Sequence, residues 1–339
     1  MKFGRVATRE AAGRIAAHGV RTDGVTLRKG QRIEAADALR LDQAGHHALV
    51  AATLEPGDVG EDEAAADLAE RIAGANLRCA PPFTGRCNIH SGVAGVLLVE
   101  RGAVDAINGV DEAITLATLP PFKPVVPGEM VATVKIIPYA VPRESLARAS
   151  SVAPDPALSI APYRRRRVGV ISTMLPGLKE ATVAKTLRVL AQRLEPTGAA
   201  IAADFRTAHD AASVAEALQE ARAACDLVVI FGASAIADRR DVIPMGIEAA
   251  GGQVDHLGMP VDPGNLLLLG RLGDVPVIGA PGCARSPKEN GFDWVLHRLL
   301  AGLAVTRSDV TALGVGGLLM EIVSRPQPRS GGDPADEDA

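Results

Sequence analysis

The run Leu-Val-Val-Ile at positions 227–230, set after Asp226 and leading into FGASAIADRRD from Phe231 to Asp241, constrains this chain more than any other stretch. A continuous β-branched run of that kind is what a strand covered on both faces requires, which means a parallel sheet with helices above and below. The Gly, Ala and Ser residues that follow leave little side chain over the backbone, and in an open α/β sheet the loop leaving a strand's carboxyl end is where ligands bind.

The surrounding pattern agrees with that strand. Strands are expected at Val168–Ser172, Ala199–Ala203, Leu266–Leu269 and Val275–Gly279. Between them lie helices with Val183, Leu187, Leu190 and Leu194 on one face, and Val214, Leu218 and Ala221 on another. The helix after the central loop stops at Gly251-Gly252. Ser286-Pro287-Lys288-Glu289 has an N-cap serine, proline at the first helical position and a glutamate in the first turn, which predicts a helix from Pro287 whose free N–H groups face the crevice.

Before residue 164 the pattern is α+β. A helical repeat over Ala11–Ala17 precedes strand, turn, helix and strand up to residue 55. GEDEAAADLAERI, from Gly60, opens on acids that suit a helix N-terminus better than a metal. TGRCNIHSGVAGVLLVE and ATVKIIPYAV supply further strands, and His90 reads as a hydrogen-bonded structural histidine. The Ser, Ala and Pro-rich stretch Ala147–Pro162 reads as a linker. The expected organisation is an α+β region over 1–160, an α/β domain with an open, mostly parallel sheet and helices on both faces over 164–305, a strand segment over 306–323 and a disordered tail over 324–339.

Composition excludes several function classes. With 339 residues, 47% of them hydrophobic and 22% charged, and a net charge of −4, the chain has no broad basic field for nucleic acid. No segment approaches about 18 uncharged apolar residues, so no membrane span is expected. Four cysteines without a C-x-x-C pair suggest a reducing cytoplasm and no zinc site. The phosphate loops G-x-x-x-x-G-K-[ST] and G-x-G-x-x-G are absent, as is the G-x-S-x-G elbow of a serine hydrolase. Four loops remain where polar residues would converge on the strand ends: 204–210, 232–241, 259–265 and 280–288. Asp210, Asp238 and Asp241 are their candidate Mg²⁺ ligands, although Asp210 and Asp241 also stand where helix N-caps belong.

In order, RVGVIS, HDAASVAEAL, DLVVIFGASAIADRRDVIP, MPVDPGNLLLLGRL and VPVIGAPGCARSPKE resemble the molybdopterin-binding domain of molybdenum-cofactor biosynthesis proteins. The likeness spans about residues 167–303. RRDVIP is similar to the family's RRDVTP, HDAASVAEAL to its segment carrying an aspartate, MPVDPGN to its K-P-G stretch, and IGAPGCARSP to its L-P-G-x-P phosphate turn. The resemblance implies molybdopterin, or its adenylylated or molybdenum-loaded form, as ligand, with Mg²⁺. It assigns Asp241 and Asp210 as catalytic, and Asp241 and Asp238 to the metal. The pterin would meet Gly232, Ala233, Ser234, Asp262, Pro263, Gly264, Asn265, Pro281, Gly282, Ser286 and Lys288.

GVTLRKGQRIEAADALRLDQAGHHALVA is similar to the segment that precedes this domain in molybdopterin molybdotransferase, although here a much longer stretch separates the two. GVGGLLMEIVSRPQPR resembles a subgroup in which a nucleotidyltransferase follows the pterin-binding part, so a separate nucleotidyltransferase, a molybdoenzyme and a second copy of the chain are the expected protein partners. The family's Thr-Gly-Gly is Phe231-Gly232-Ala233 in this chain. An added Cβ and a lost hydroxyl there keep a non-catalytic carrier open beside the enzyme.

Overall fold

The computed structural model describes residues 1–22, 24–152 and 156–319. It divides into two compact units, Met1–Tyr163 and Arg164–Ala339. The tail expected to be disordered, 324–339, lies outside the described residues.

The first unit is α+β and built from small antiparallel sheets. Lys2–Ala7 pairs with Ala48–Thr53, which also pairs with Ile15–Ala16. A four-stranded sheet follows the order Ile114–Thr118, Met130–Ile136, Arg86–Ser91, Leu77–Cys79. On it lies helix Glu61–Ile72, whose Ala64, Ala65, Leu68, Ala69 and Ile72 are buried; alanines at those positions let the helix backbone sit close to the sheet. The helix expected over 11–17 does not form. Gly13 adopts a positive φ of 82° that interrupts it, and Ile15–Ala16 joins a sheet instead.

The expected linker over 147–162 is also structured. Helix Arg143–Val152 buries Ser145, Leu146 and Ala149, and Leu158–Pro162 pairs antiparallel with Gly95–Val99. Small residues form this buried face, so its composition resembled a linker while its spacing was that of a helix.

The second unit is an α/β domain. Its elements are β1 (Arg167–Met174), α1 (Glu180–Leu194), β2 (Ala200–Ala208), α2 (Ala211–Ala224), β3 (Leu227–Phe231), α3 (Val242–Ala249), β4 (Gln253–Leu257), β5 (Leu268–Leu272), β6 (Val275–Ala280), α4 (Gly291–Leu300) and α5 (Arg307–Thr311). The sheet order is β2-β1-β3-β6-β5-β4. β2, β1, β3 and β6 are mutually parallel, while β5 runs antiparallel to both β6 and β4. All of β3 is buried, as its central place demands, whereas β2 at the edge alternates between exposed and half-buried residues. Helices α2 and α3 cover the face carrying Ile171, Val228, Ile230 and Val277, while α1 and α4, linked by an Arg193–Asp293 ion pair, cover the other.

Beyond α4, a strand was expected over 306–323. Thr306 and Asp309 instead form a reciprocal capping box that starts α5, a turn at Ala312–Gly314 follows, and an isolated bridge from Leu318 to Asp262 is the only strand-like contact among the described residues of that segment.

Candidate functional site

β1 sends the chain to β2 on one side and pairs with β3 on the other, so the sheet's switch point lies between the carboxyl ends of β1 and β3. The loop 232–241 leaves β3 at that point. Gly232 is required there, because a Cβ would come within 2.6 Å of the Ser234 carbonyl oxygen and 2.9 Å of Ile243. The next position tolerates alanine: Ala233 is not among the residues with positive φ, and its amide donates to Thr173 Oγ1 at 2.8 Å.

Thr173 opens a chain of hydrogen bonds. Its Oγ1 lies 2.9 Å from His209 Nδ1, and His209 Nε2 lies 3.1 Å from Ser234 Oγ. Thr173 is 1% exposed and already accepts from Ala233, so its own hydroxyl hydrogen is best directed at Nδ1. In that arrangement the Nε2 proton would be donated to Ser234, leaving the Ser234 hydroxyl hydrogen to point elsewhere in the crevice. His209 immediately precedes Asp210 in the HDAASV segment, so its bond to Ser234 ties that segment to the central loop.

Each of the three candidate metal-ligating acids has a local partner. Asp210 is the N-cap of α2, with Oδ1 accepting from the Ser213 amide at 2.8 Å and Oδ2 from the Ser213 hydroxyl at 2.8 Å. Those bonds hold its carboxyl below the ordinary aspartate range. Asp241 caps α3, accepting from Val242 at 2.7 Å and from Ala237 at 3.2 Å. One bond on each oxygen leaves lone pairs that could meet a cation. Asp238 is different. Both of its oxygens face the Arg240 guanidinium, at 2.7 and 3.4 Å, and a metal there would have to displace that cation. Among the described residues no three His, Cys, Asp or Glu side chains gather as a metal site.

After β6 the chain departs from its local signature. Ser286 caps no α-helix. Gly282–Arg285 form a single 3₁₀ turn, and α4 begins at Gly291 behind Asn290, which with Asp293 forms the capping box. Distant side chains decide this. Arg193 on α1 donates to the carbonyls of Ala284 at 2.9 Å, Ser286 at 2.6 Å and Lys288 at 3.2 Å, as well as to Asp293 at 2.6 Å. Carbonyls turned toward α1 cannot begin a helix at Pro287. Arg285 also reaches out of this turn, donating to Gly232 O at 2.8 Å and Thr186 Oγ1 at 3.0 Å, with its guanidinium 5.3 Å from the Phe231 ring centroid. Phe231 is therefore the surface on which Arg285 rests.

A cavity of about 330 Å³ opens beside this turn, lined by Ala235, Asp262, Pro263, Gly264, Asn265, Leu266, Pro281, Gly282 and Cys283. Gly264, at a φ of 145°, lets its loop press on α4, since a Cβ there would stand 3.0 Å from Gly291 Cα. Thus Asp262, Pro263, Gly264, Asn265, Pro281 and Gly282 come together, with Ala235 reaching them from the central loop. Ala233 and Ser234 are tied instead to Thr173 and His209, and Gly232 to Arg285. Ser286 and the exposed Lys288 lie further along the turn, outside the cavity lining. Sequence reasoning missed Thr173, Arg193, His209 and Arg285. His209 and Arg285 had a signal, their places inside segments already singled out, whereas Thr173 and Arg193 had none.

No family model and no curated protein matches this sequence. Among solved structures, the chain is similar to the molybdopterin biosynthesis MoeA protein from Pyrococcus horikosii, at 17% identity over 89% of this chain and 75% of that one, with a TM-score of 0.32. It is similar to the molybdopterin biosynthesis Mog protein from Mycobacterium ulcerans, at 20% identity over 42% of this chain and 100% of that one, with a TM-score of 0.29. A molybdenum cofactor biosynthesis protein from Pyrococcus furiosus is similar at 15% identity over 74% of this chain and 73% of that one, with a TM-score of 0.27.

Proposed function

We propose that the second unit binds molybdopterin, or its adenylylated or molybdenum-loaded form, at the carboxyl ends of its strands, and that the protein is a molybdopterin molybdotransferase-like enzyme of molybdenum-cofactor biosynthesis. The observation that carries this reading is the shared cavity: Asp262–Asn265 and Pro281–Gly282, two segments singled out by their resemblance to pterin-binding motifs and separated in sequence, line one space with Ala235. In this reading the Pro281–Gly282 turn meets the pterin phosphate, while Asn265 and Ser234 offer polar contacts. His209 orients the Ser234 hydroxyl, and Lys288 adds positive charge at the rim.

Asp241 would hold Mg²⁺ through its remaining lone pairs, shared with the substrate phosphate and water as that ion prefers. The ion, when bound, supplies positive charge against the substrate's oxyanions. Asp238 fits that role poorly because Arg240 already covers it.

A second reading has specific support. Asp238 is paired with Arg240 and the Thr-Gly-Gly of the resembled family is Phe231-Gly232-Ala233 in this chain, which favours a carrier that holds finished cofactor for a separate nucleotidyltransferase or a molybdoenzyme. Among the described residues no helix is long and apolar enough to cross a membrane.

Anaerobic titration with molybdopterin, together with mass identification of any copurifying oxidised pterin, tests the binding. Saturation in the micromolar range or below is expected, and none at hundreds of micromolar would sink the family reading. Asp241→Asn separates the two functions, because it preserves a helix cap and removes the charge. An enzyme loses Mg²⁺-dependent maturation while still binding pterin; a carrier delivers cofactor as before.

A further inference from the structure

The first unit contains a larger cavity that the pterin reading leaves unused. It measures about 660 Å³, within the range of sites for small metabolites, and its lining includes Lys29, Glu61, Arg86, Lys135, Ile137 and Tyr139. Three side-chain cations thus surround one carboxylate, beside the Met1 ammonium that Glu55 and Asp58 already pair. Lys135 lies 3.6 Å from Glu61 and also donates to the Thr84 carbonyl. Among the described residues neither Lys29 nor Arg86 forms an ion pair, and both are exposed.

The register of the strands accentuates this imbalance. Arg86 and Lys135 are direct cross-strand partners in an antiparallel pair, so two like charges stand side by side, an arrangement that destabilises a sheet unless something negative faces it. Glu61 offsets one of them, and its carboxyl is itself pushed above its ordinary range, chiefly by burial. The remaining surplus is two positive charges, from Lys29, Arg86 and Lys135 against Glu61. The other part of the wall is apolar. Ile137 is 58% exposed, and the half-buried Tyr139 ring is pinned by its hydroxyl, which donates to Ala17 O at 3.2 Å. A dianion attached to a flat, weakly polar body matches both parts.

We propose that this cavity binds a phosphate monoester carried on a heterocycle, of the nucleoside monophosphate class, with the phosphate held by Lys29, Arg86 and Lys135 and the ring against Tyr139 and Ile137. The site is independent of the pterin crevice. It would give the protein a second small-molecule ligand.

Calorimetric titration of the full chain at low ionic strength tests it, using AMP, GMP and CMP beside adenosine and inorganic phosphate. At least one monophosphate should saturate; adenosine should not, and phosphate should bind far more weakly. Arg86→Ala and Lys29→Ala should each weaken the nucleotide by about tenfold or more, since each removes a charge-assisted contact. Asp241→Asn, in the other unit, should leave the nucleotide affinity unchanged. Without ligand, Arg86→Gln should melt at or above the wild type at low salt, because the repulsion from Lys135 is relieved. The proposal is overturned if no monophosphate saturates below about 1 mM, if both alanine variants bind as the wild type does, or if Asp241→Asn abolishes binding. A lower melting temperature for unliganded Arg86→Gln would also overturn it, by showing that Arg86 is paired in the folded protein.

Discussion

The two loops that frame the crevice are held in opposite ways. In the acid-bearing half of 232–241 the acids bond at short range, Asp238 with Arg240 and Asp241 with Val242 and Ala237, while Gly232, Ala233 and Ser234 bond to Arg285, Thr173 and His209. In 281–290 the shape comes mainly from Arg193, about a hundred residues away and on another helix, and from the reach of Arg285 to Gly232 and Thr186. A loop organised by its own residues keeps its form when a neighbour moves. One organised by a distant arginine is coupled to everything that arginine touches.

The strongest challenge to this contrast is Arg193→Met. The Arg193 and Asp293 side chains are 8% and 12% exposed, so removing one partner strands the other charge in a low-dielectric setting. A loss of about 3–5 kcal/mol is expected in urea denaturation. If the loss stays near that of a surface ion pair, below about 1 kcal/mol, the turn is not organised from α1.

Arg285→Met comes next. It leaves the Gly232 carbonyl and the Thr186 hydroxyl each short of a donor, for about 1–3 kcal/mol in the same measurement. It should also weaken pterin binding, because the turn and the central loop are no longer tied together. Unchanged pterin affinity in a destabilised variant would mean that Arg285 supports the fold alone.

A smaller effect sharpens the location of the helix start. Asn290→Ala should cost about 0.5–2 kcal/mol as the loss of an N-cap. Ser286→Ala, at the position favoured by the local S-P-K-E pattern, should stay within about 0.5 kcal/mol. The opposite ranking in thermal melts would restore Pro287 as the first helical residue.

The smallest effect belongs to the self-contained side of the crevice. Asp210 has its pKa lowered by the Ser213 amide and hydroxyl. Its contribution to stability is therefore present above the unfolded aspartate pKa and is lost as pH falls through the lowered folded value. Asp210→Asn keeps a capping oxygen and should flatten that acid limb of the stability profile. An unchanged limb would show that other carboxylates produce it.

What could be read in the sequence follows the range of the interaction. The buried run 227–231 identified a central strand, because a strand covered on both faces has no polar alternation to offer. The caps at Asp210 and Asp241 were legible because an N-cap bonds to amides only a few residues ahead. β4 was missed: Gln253–Leu257 carries mixed polarity and pairs only along one edge, with β5.

The sequence by itself determined the alternation of strands and helices in the second unit, its crevice-forming loops and the acids within them, since periodicity and capping act over less than a few turns of chain. Tertiary structure alone decided where α4 begins, that Asp238 pairs with Arg240 while Asp241 keeps lone pairs, and that Thr173, His209 and Ser234 form one chain of hydrogen bonds. It also decided that Arg86 and Lys135 face each other across a strand pair. Those outcomes depend on which distant side chain arrives first at a shared carbonyl, carboxylate or cavity, and no local pattern encodes that distance.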